Sequence, residues 1–339
     1  MINIKDVYSN DLKNAYYDEI KKEFTRVINK RTGSGRKKHK FKGGNIFKLI
    51  NQCKKIIGKE NFLEYFTGGN HEENFKQLII MPPEKLDNLA RLVKYRIDQN
   101  IVNKKVFQEE NIQRLKAVYT EGKILGKKIE AKKINILLVK ELDIAVCPYC
   151  NRNYVNSRDD KLGAQMDHFY NKDKYPIFAV SIYNFIPVCG VCNNIKRTID
   201  FYVYPFLEDR EKKHEVKFSY LMKGIDDIEI EYSTSIEKKS DMDAINLKEA
   251  YSIHDTDVRK MLDREERYSE LYRQELRVLL KSNYDTDFIE FNNSFIDDDI
   301  DRLIYGDIIF ENDIRNISLG KFRKDIYQEI KSMRDGDWN

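Results

Sequence analysis

The sequence predicts an α+β, mostly helical protein built around a small metal-stapled centre. Three observations carry that prediction. Apolar residues recur at helical spacing through the first and last thirds, two short strand-like runs fall between residues 216 and 232, and two C-x-x-C pairs occupy the middle.

Taken in order, residues 1–30 read as helix, because Leu12, Tyr16, Ile20, Phe24 and Ile28 recur every four residues. A basic segment follows, with seven Lys/Arg from Lys30 to Lys42 and four glycines from Gly33 to Gly44. Those glycines exclude a helix interior and predict a mobile loop. Arg36, Lys37, Lys38 and Lys40 are its candidate nucleic-acid contacts, with a solvated linker as the equal alternative. Further helices are expected near Ile46–Ile57, Pro83–Ile97 and Phe107–Tyr119, the second opened by proline in its first turn. Their tyrosines and phenylalanines read as core rather than as base-stacking groups, and lone Cys53 as a buried small hydrophobe. Past the middle, Val216–Tyr220 and Ile228–Tyr232 read as strands. One long helix is then expected from about Thr256 to Leu280, capped by Asp255, with Val258, Met261, Leu262, Tyr268, Leu271, Tyr272, Leu276 and Leu279 as its stripe. The expected division is a basic helical domain over 1–140, a nuclease core over 141–207 and an acidic, mostly helical domain over 208–339.

Composition narrows the class. Of 339 residues 41% are hydrophobic and 34% charged, with a mean hydropathy of −0.65, which suits packed cores and excludes a disordered chain. Nothing approaches the roughly 18 consecutive apolar residues of a membrane span, and the N-terminus offers no apolar signal core. A soluble, cytoplasmic protein without a membrane partner is the expectation. The net charge of +4 hides an asymmetry: +15 over 1–140, 0 over 141–207 and −11 over 208–339. A polyanion would prefer the first third, because phosphates neutralised by Lys or Arg release condensed counterions. Lysine-rich surfaces that merely keep a protein soluble are the bland alternative.

Cys147-Pro-Tyr-Cys150 and Cys189-Gly-Val-Cys192 stand 38 residues apart. Paired knuckles in one compact segment read as a tetrahedral four-thiolate zinc site, closed and hence structural. A redox dithiol would come once, at the start of a helix in a βαβ setting that is missing here. Between the pairs lie Gln165-Met-Asp167-His168-Phe-Tyr and Asn184-Phe-Ile-Pro-Val, and Asn193-Asn-Ile-Lys196-Arg197 leaves the second pair.

This order of C-x-x-C, Asp-His, Asn, C-x-x-C and a further Asn resembles the zinc-stapled branch of the HNH endonuclease family, with endonuclease VII-like sites. The resemblance covers about residues 145–200 and implies a central ββα-metal finger. It implies His168 as general base, Asp167 and Asn193 as ligands of one catalytic Mg²⁺ or Mn²⁺, and Asn184 as the residue that fixes the loop between the strands. The family often has histidine where Asn193 stands; an amide oxygen suits a hard cation better than a catalytic zinc. Lys196 and Arg197 stand where they touch substrate phosphates or form a solvated face. The texts Cys-Pro-Tyr-Cys-Asn-Arg-Asn-Tyr and Asp-His-Phe-Tyr also look like bacterial anti-phage HNH effectors of the Septu and retron-associated type. That looser likeness implies an ATPase or other defence partner, for which the acidic C-terminal part offers a docking surface.

The chemistry agrees independently. Phosphodiester hydrolysis near neutral pH needs a proton acceptor, and an imidazole of pKa about 6.5 suits the task. A cation held by one carboxylate and one amide keeps most of its charge for the phosphate oxygens. One geometric condition attaches: neighbours on a regular strand face opposite ways, so Asp167 and His168 meet one phosphate only at a strand end or bend. The expected function is metal-dependent cleavage of DNA, with DNA ahead of RNA. The rivals are an RNA-directed nuclease using the same site, and a zinc ribbon that binds nucleic acid without cutting it. A pure ribbon has no need of Asp167, His168 and Asn193 together.

Overall fold

The computed structural model describes residues 3–5, 8–26, 28–30, 39–41, 43–159, 161–207, 211, 213–224, 227–281, 293–311 and 313–336, with the backbone alone at 28–30, 39–41, 281, 293–295 and 308. Its chain is mostly helical α+β, and each sheet among the described residues is a two-stranded antiparallel pair. Among the described residues no helix is long and apolar enough to cross a membrane. Chain contacts divide it into two compact units, one of residues 3–148 and 154–208, the other of 149–153 and 209–339.

The first unit opens with α1, Asn10–Thr25, shorter at both ends than the helix expected over residues 1–30. Ser9 sets the start, its hydroxyl accepting from Leu12 N at 3.2 Å. At the other end Arg26 turns extended, so Ile28 falls in a strand, β1 (Ile28–Lys30), paired with β2 (His39–Phe41). The buried Arg114 guanidinium takes the orphan carbonyls there, donating to Phe24 O at 3.0 Å, Glu23 O at 2.7 Å and Arg26 O. Helices α2 (Ile46–Ile57), α3 (Lys59–Tyr65), α4 (His71–Ile79), α5 (Pro83–Asp98) and α6 (Glu110–Thr120) follow. α2 is the hub and packs on α4, α5 and α6 through Leu49, Ile50, Cys53, Ile56 and Ile57. Burial pushes the Cys53 thiol up to about 12, so it behaves as the expected inert hydrophobe. Between α2 and α3 only a residue tolerant of φ +96° turns the chain, and Gly58 supplies it. A short pair, β3 (Lys128–Ile129) and β4 (Lys132–Lys133), leads into α7 (Ile134–Glu141). The unit closes with β5 (Gln165–His168), β6 (Phe185–Val188) and α8 (Gly190–Lys196).

The second unit begins with the paired strands β7 (Lys217–Met222) and β8 (Ile228–Ser233), within a residue or two of their expected positions. Then come α9 (Ile236–Ala244), α10 (Leu247–Ser252), α11 (Asp255–Arg267), α12 (Glu270–Lys281), α13 (Asn293–Tyr305) and α14 (Gly320–Asp335). The single helix expected over 256–280 is therefore two. Tyr268 leaves helical geometry at ψ 60°, and its carbonyl is taken by Arg273 Nε at 3.0 Å. Arg273 also bonds Glu265 at 3.0 Å and the fully buried Asp301 at 2.7 Å, so the break is held by a buried polar network. Asp255 is the first residue of α11 rather than its cap, a place held by His254. Residues 149–153 join this unit through Asn151, whose left-handed backbone (φ 50°) aims its amide at Ile314 O and Ile317 O, both 3.3 Å away. Asn tolerates that conformation better than most residues.

Candidate functional site

β5 and β6 pair with Gln165 opposite Val188, Asp167 opposite Ile186 and His168 opposite Phe185, and α8 starts two residues after β6. Cys189 caps α8, its Sγ accepting from Cys192 N at 3.5 Å. The Sγ atoms of Cys147, Cys150, Cys189 and Cys192, all buried, lie within 4.8 Å of one another. A tetrahedron of 2.3 Å Zn–S bonds has edges of about 3.8 Å, so a small contraction fits a zinc ion to this donor set.

His168 is the last residue of β5, which meets the condition that it stand at a strand end. Its ring is 8% exposed, edge-on to Tyr119 at 4.4 Å and to Phe185 at 4.8 Å between ring centres. Nε2 sits 3.0 Å from Ala179 O. A carbonyl only accepts, so this contact assigns the proton to Nε2 and leaves Nδ1 as the lone-pair nitrogen. Burial, helped by the neighbouring Lys172 and Lys196, lowers the imidazole to about 4. It is neutral at pH 7.

That shift makes a stability prediction with a definite sign. Folding lowers the pKa from about 6.5, so below that pH the unfolded chain binds a proton that the folded one refuses. Stability is complete above pH 6.5 and is lost as the pH falls toward 4. Between pH 7 and pH 5 the unfolding free energy drops by about 2 kcal/mol on this account alone. Urea unfolding of wild type and His168→Gln at both pH values checks it. The wild-type drop should exceed the variant's by that amount, and equal drops would mean that His168 is not held neutral.

Asp167 is buried too, and its Oδ2 lies 2.9 Å from Lys196 Nζ of α8. Lys196 is only 1% exposed and also donates to His168 O at 3.3 Å. It is therefore neither a solvated residue nor an outward phosphate contact, contrary to both expectations for it. An ammonium this deep is tolerable only with its carboxylate, and breaking such a pair typically costs about 3–5 kcal/mol. Arg197 is exposed at the end of α8 with a positive φ of 46°, its Nε donating to Asn194 O at 3.0 Å.

Asn184 is fully buried and holds the loop after β5 by three bonds. Its Oδ1 accepts from Tyr170 N at 2.7 Å, and Nδ2 donates to Tyr170 O at 3.0 Å and Phe178 O at 2.8 Å. Asn193 is half-buried on α8, and its Nδ2 donates to Gln165 Oε1 at 2.6 Å, which turns Oδ1 into the remaining acceptor. A carboxylate and an amide oxygen are hard donors of the kind that Mg²⁺ or Mn²⁺ prefers, and here the Asp167 carboxylate is paired with Lys196. Arg36, Lys37 and Lys38 lie outside the described residues, and of Lys40 the backbone alone is described, in β2.

Three groups at this site carried no signal in the sequence. Tyr119 arrives from α6, which packs on residues 176–178 of the Asn184-held loop. Lys172 lies over the Tyr119 ring at 5.8 Å and 4.0 Å from Asp173, whose closer partner is Lys116. The Ala179 carbonyl orients His168. Burial, with the Asp167 charge adding to it, raises the Tyr119 phenol and keeps it a donor.

No family model and no solved structure matches the chain. Over 104 residues, 30% of its length, it is 29% identical to the Septu protein PtuB of Bacillus thuringiensis, of which that stretch covers 39%. The chain is thus distantly similar to a Septu protein, over well under two thirds of that protein's length, and carries a buried four-cysteine cluster able to hold a metal such as zinc.

Proposed function

We propose that this chain is a metal-dependent HNH endonuclease that hydrolyses phosphodiester bonds in DNA as an effector of anti-phage defence. The observation that carries the reading is the neutral His168, its Nε2 tied to Ala179 O, adjoining the Asp167 carboxylate on a strand that ends at that histidine. In this reading β5, β6 and α8 are the ββα-metal finger, with a structural zinc on Cys147, Cys150, Cys189 and Cys192. Asp167 and Asn193 would hold one Mg²⁺ or Mn²⁺, which would supply charge to the phosphate and leaving oxygens. His168 Nδ1 takes the proton of the attacking water, and the Nε2–Ala179 bond steadies the imidazolium that forms. Asn184 keeps Ala179 in place by closing the loop at Tyr170 and Phe178. Lys196 holds Asp167 oriented. The basic residues of 1–140 gather the nucleic acid, and the acidic residues of 208–339 face a partner such as the ATPase of a defence system. Similarity to a Septu protein supports the defence role.

Incubating the full chain with supercoiled plasmid, and separately with RNA, under Mg²⁺, Mn²⁺ or EDTA tests the reading. Plasmid nicking or linearisation with either metal and none in EDTA is the expected result. Degraded RNA beside intact plasmid would redirect the substrate. Both substrates intact under every metal, with the partner ATPase present, would leave a zinc module that binds without cutting.

A further inference from the structure

We propose that Tyr119 is a catalytic residue whose hydroxyl, with the Lys172 ammonium beside it, donates to a non-bridging oxygen of the phosphate under attack. This rests on the nuclease reading above.

The geometry comes first. Tyr119 is the second-to-last residue of α6, in a part of the chain outside the finger. Its ring lies edge-on to the His168 ring at 4.4 Å and nearly parallel to Phe185 at 5.8 Å. Two neighbours and the packing of α6 on residues 176–178 thus fix where the ring sits. Its hydroxyl meets no hydrogen-bond partner among the described residues, although the ring is half-buried. Three tyrosines of the same unit are tied down by contrast: Tyr16 donates to Val180 O, Tyr170 to Asp87 and Tyr204 to Tyr183 O. The hydroxyl is not among the buried side-chain atoms left without a partner, so it reaches solvent beside the His168 ring, open to a group that arrives from outside. Lys172 is similarly available. Its ammonium makes a loose 4.0 Å pair with Asp173, whose carboxylate is bound more closely by Lys116.

The chemistry needs such donors. As the water oxygen bonds to phosphorus, its proton passes to His168 Nδ1. The leaving P–O bond breaks with its electron pair staying on that oxygen, which takes a proton from solvent. Charge meanwhile builds on the non-bridging oxygens, where fixed donors stabilise the transition state more than the ground state. Tyr119 and Lys172 transfer no proton in this scheme; they hold and polarise.

Tyr119→Phe is the test, because it keeps the ring against His168 and Phe185 and removes only the hydroxyl. Single-turnover cleavage of an oligonucleotide should slow by about 10²-fold, the usual effect of losing one such donor, with the melting temperature unchanged. Lys172→Met should slow it in the same direction. With phosphorothioate substrates, wild type should discriminate between the two diastereomers and Tyr119→Phe should bring that ratio toward one. A wild-type rate and unchanged diastereomer ratio in Tyr119→Phe would overturn the proposal and leave the nuclease reading intact. A slower variant with an equal loss of melting temperature would also overturn it, in favour of a packing role. A wild-type protein that cleaves nothing overturns the nuclease reading, and this proposal with it.

Discussion

Under the proposed nuclease function, His168→Ala should bind nucleic acid with near-wild-type affinity and cleave it about 10²–10⁴ times more slowly. That range is the usual contribution of a general acid–base group, and it should appear in the single-turnover rate rather than in the binding constant. Affinity survives because contacts to a phosphate backbone come from many cations, of which this imidazole, neutral at pH 7, is not one. The fold should survive with a modest loss. Alanine empties the space between Tyr119 and Phe185 and leaves the Ala179 carbonyl without its donor. An unsatisfied buried carbonyl costs about 1–3 kcal/mol, a drop in melting temperature that a folded chain tolerates. His168→Gln, which can keep a donor near Ala179, should recover stability without recovering the rate. Cleavage at the wild-type rate by either variant in the same metal would remove His168 from the mechanism.

With zinc on the four-cysteine cluster, Cys189→Ser should yield a chain that no longer holds the metal and is insoluble or partly unfolded. Structural zinc in finger peptides contributes about 10–16 kcal/mol of apparent binding free energy, as large as the whole stability of a typical domain. At Cys189 the loss is compounded, because this sulfur also accepts from Cys192 N and caps α8. α8 carries Lys196, so a displaced helix also deprives buried Asp167 of its cation. Cys150→Ala should share the metal loss and the poor solubility without the cap effect. Elemental analysis beside circular dichroism decides the matter. One zinc per wild-type chain and none in the variants is expected, whereas a folded, zinc-free wild type would end the assignment.

The sequence by itself determined the elements whose signals are local. Asn45 caps α2 from one residue upstream and Pro83 opens α5, while the stripe from Leu49 to Ile57 needs only helical period, so these helices stand where the residues say. The four cysteines were legible for the same reason: two-residue spacers hold each pair together, and thiolate chemistry makes the pairs seek one another. What the tertiary structure alone decided are pairings between residues far apart in the chain. Nothing near Lys196 announces that its ammonium is buried against Asp167, 29 residues upstream, rather than turned to water. Tyr119 precedes His168 by 49 residues, and only the packing of α6 on the loop held by Asn184 brings their rings together. The break at Tyr268 was hidden too, since the apolar stripe runs on through it. Arg273 ends the helix there by reaching Asp301, 28 residues onward, and a buried charge pair outweighs the small propensity differences that a stripe records. Local periodicity and ligand spacing write themselves into neighbouring residues. The protonation state of His168, the partner of Asp167 and the open hydroxyl of Tyr119 depend on burial and on long-range contacts, which no stretch of neighbours encodes.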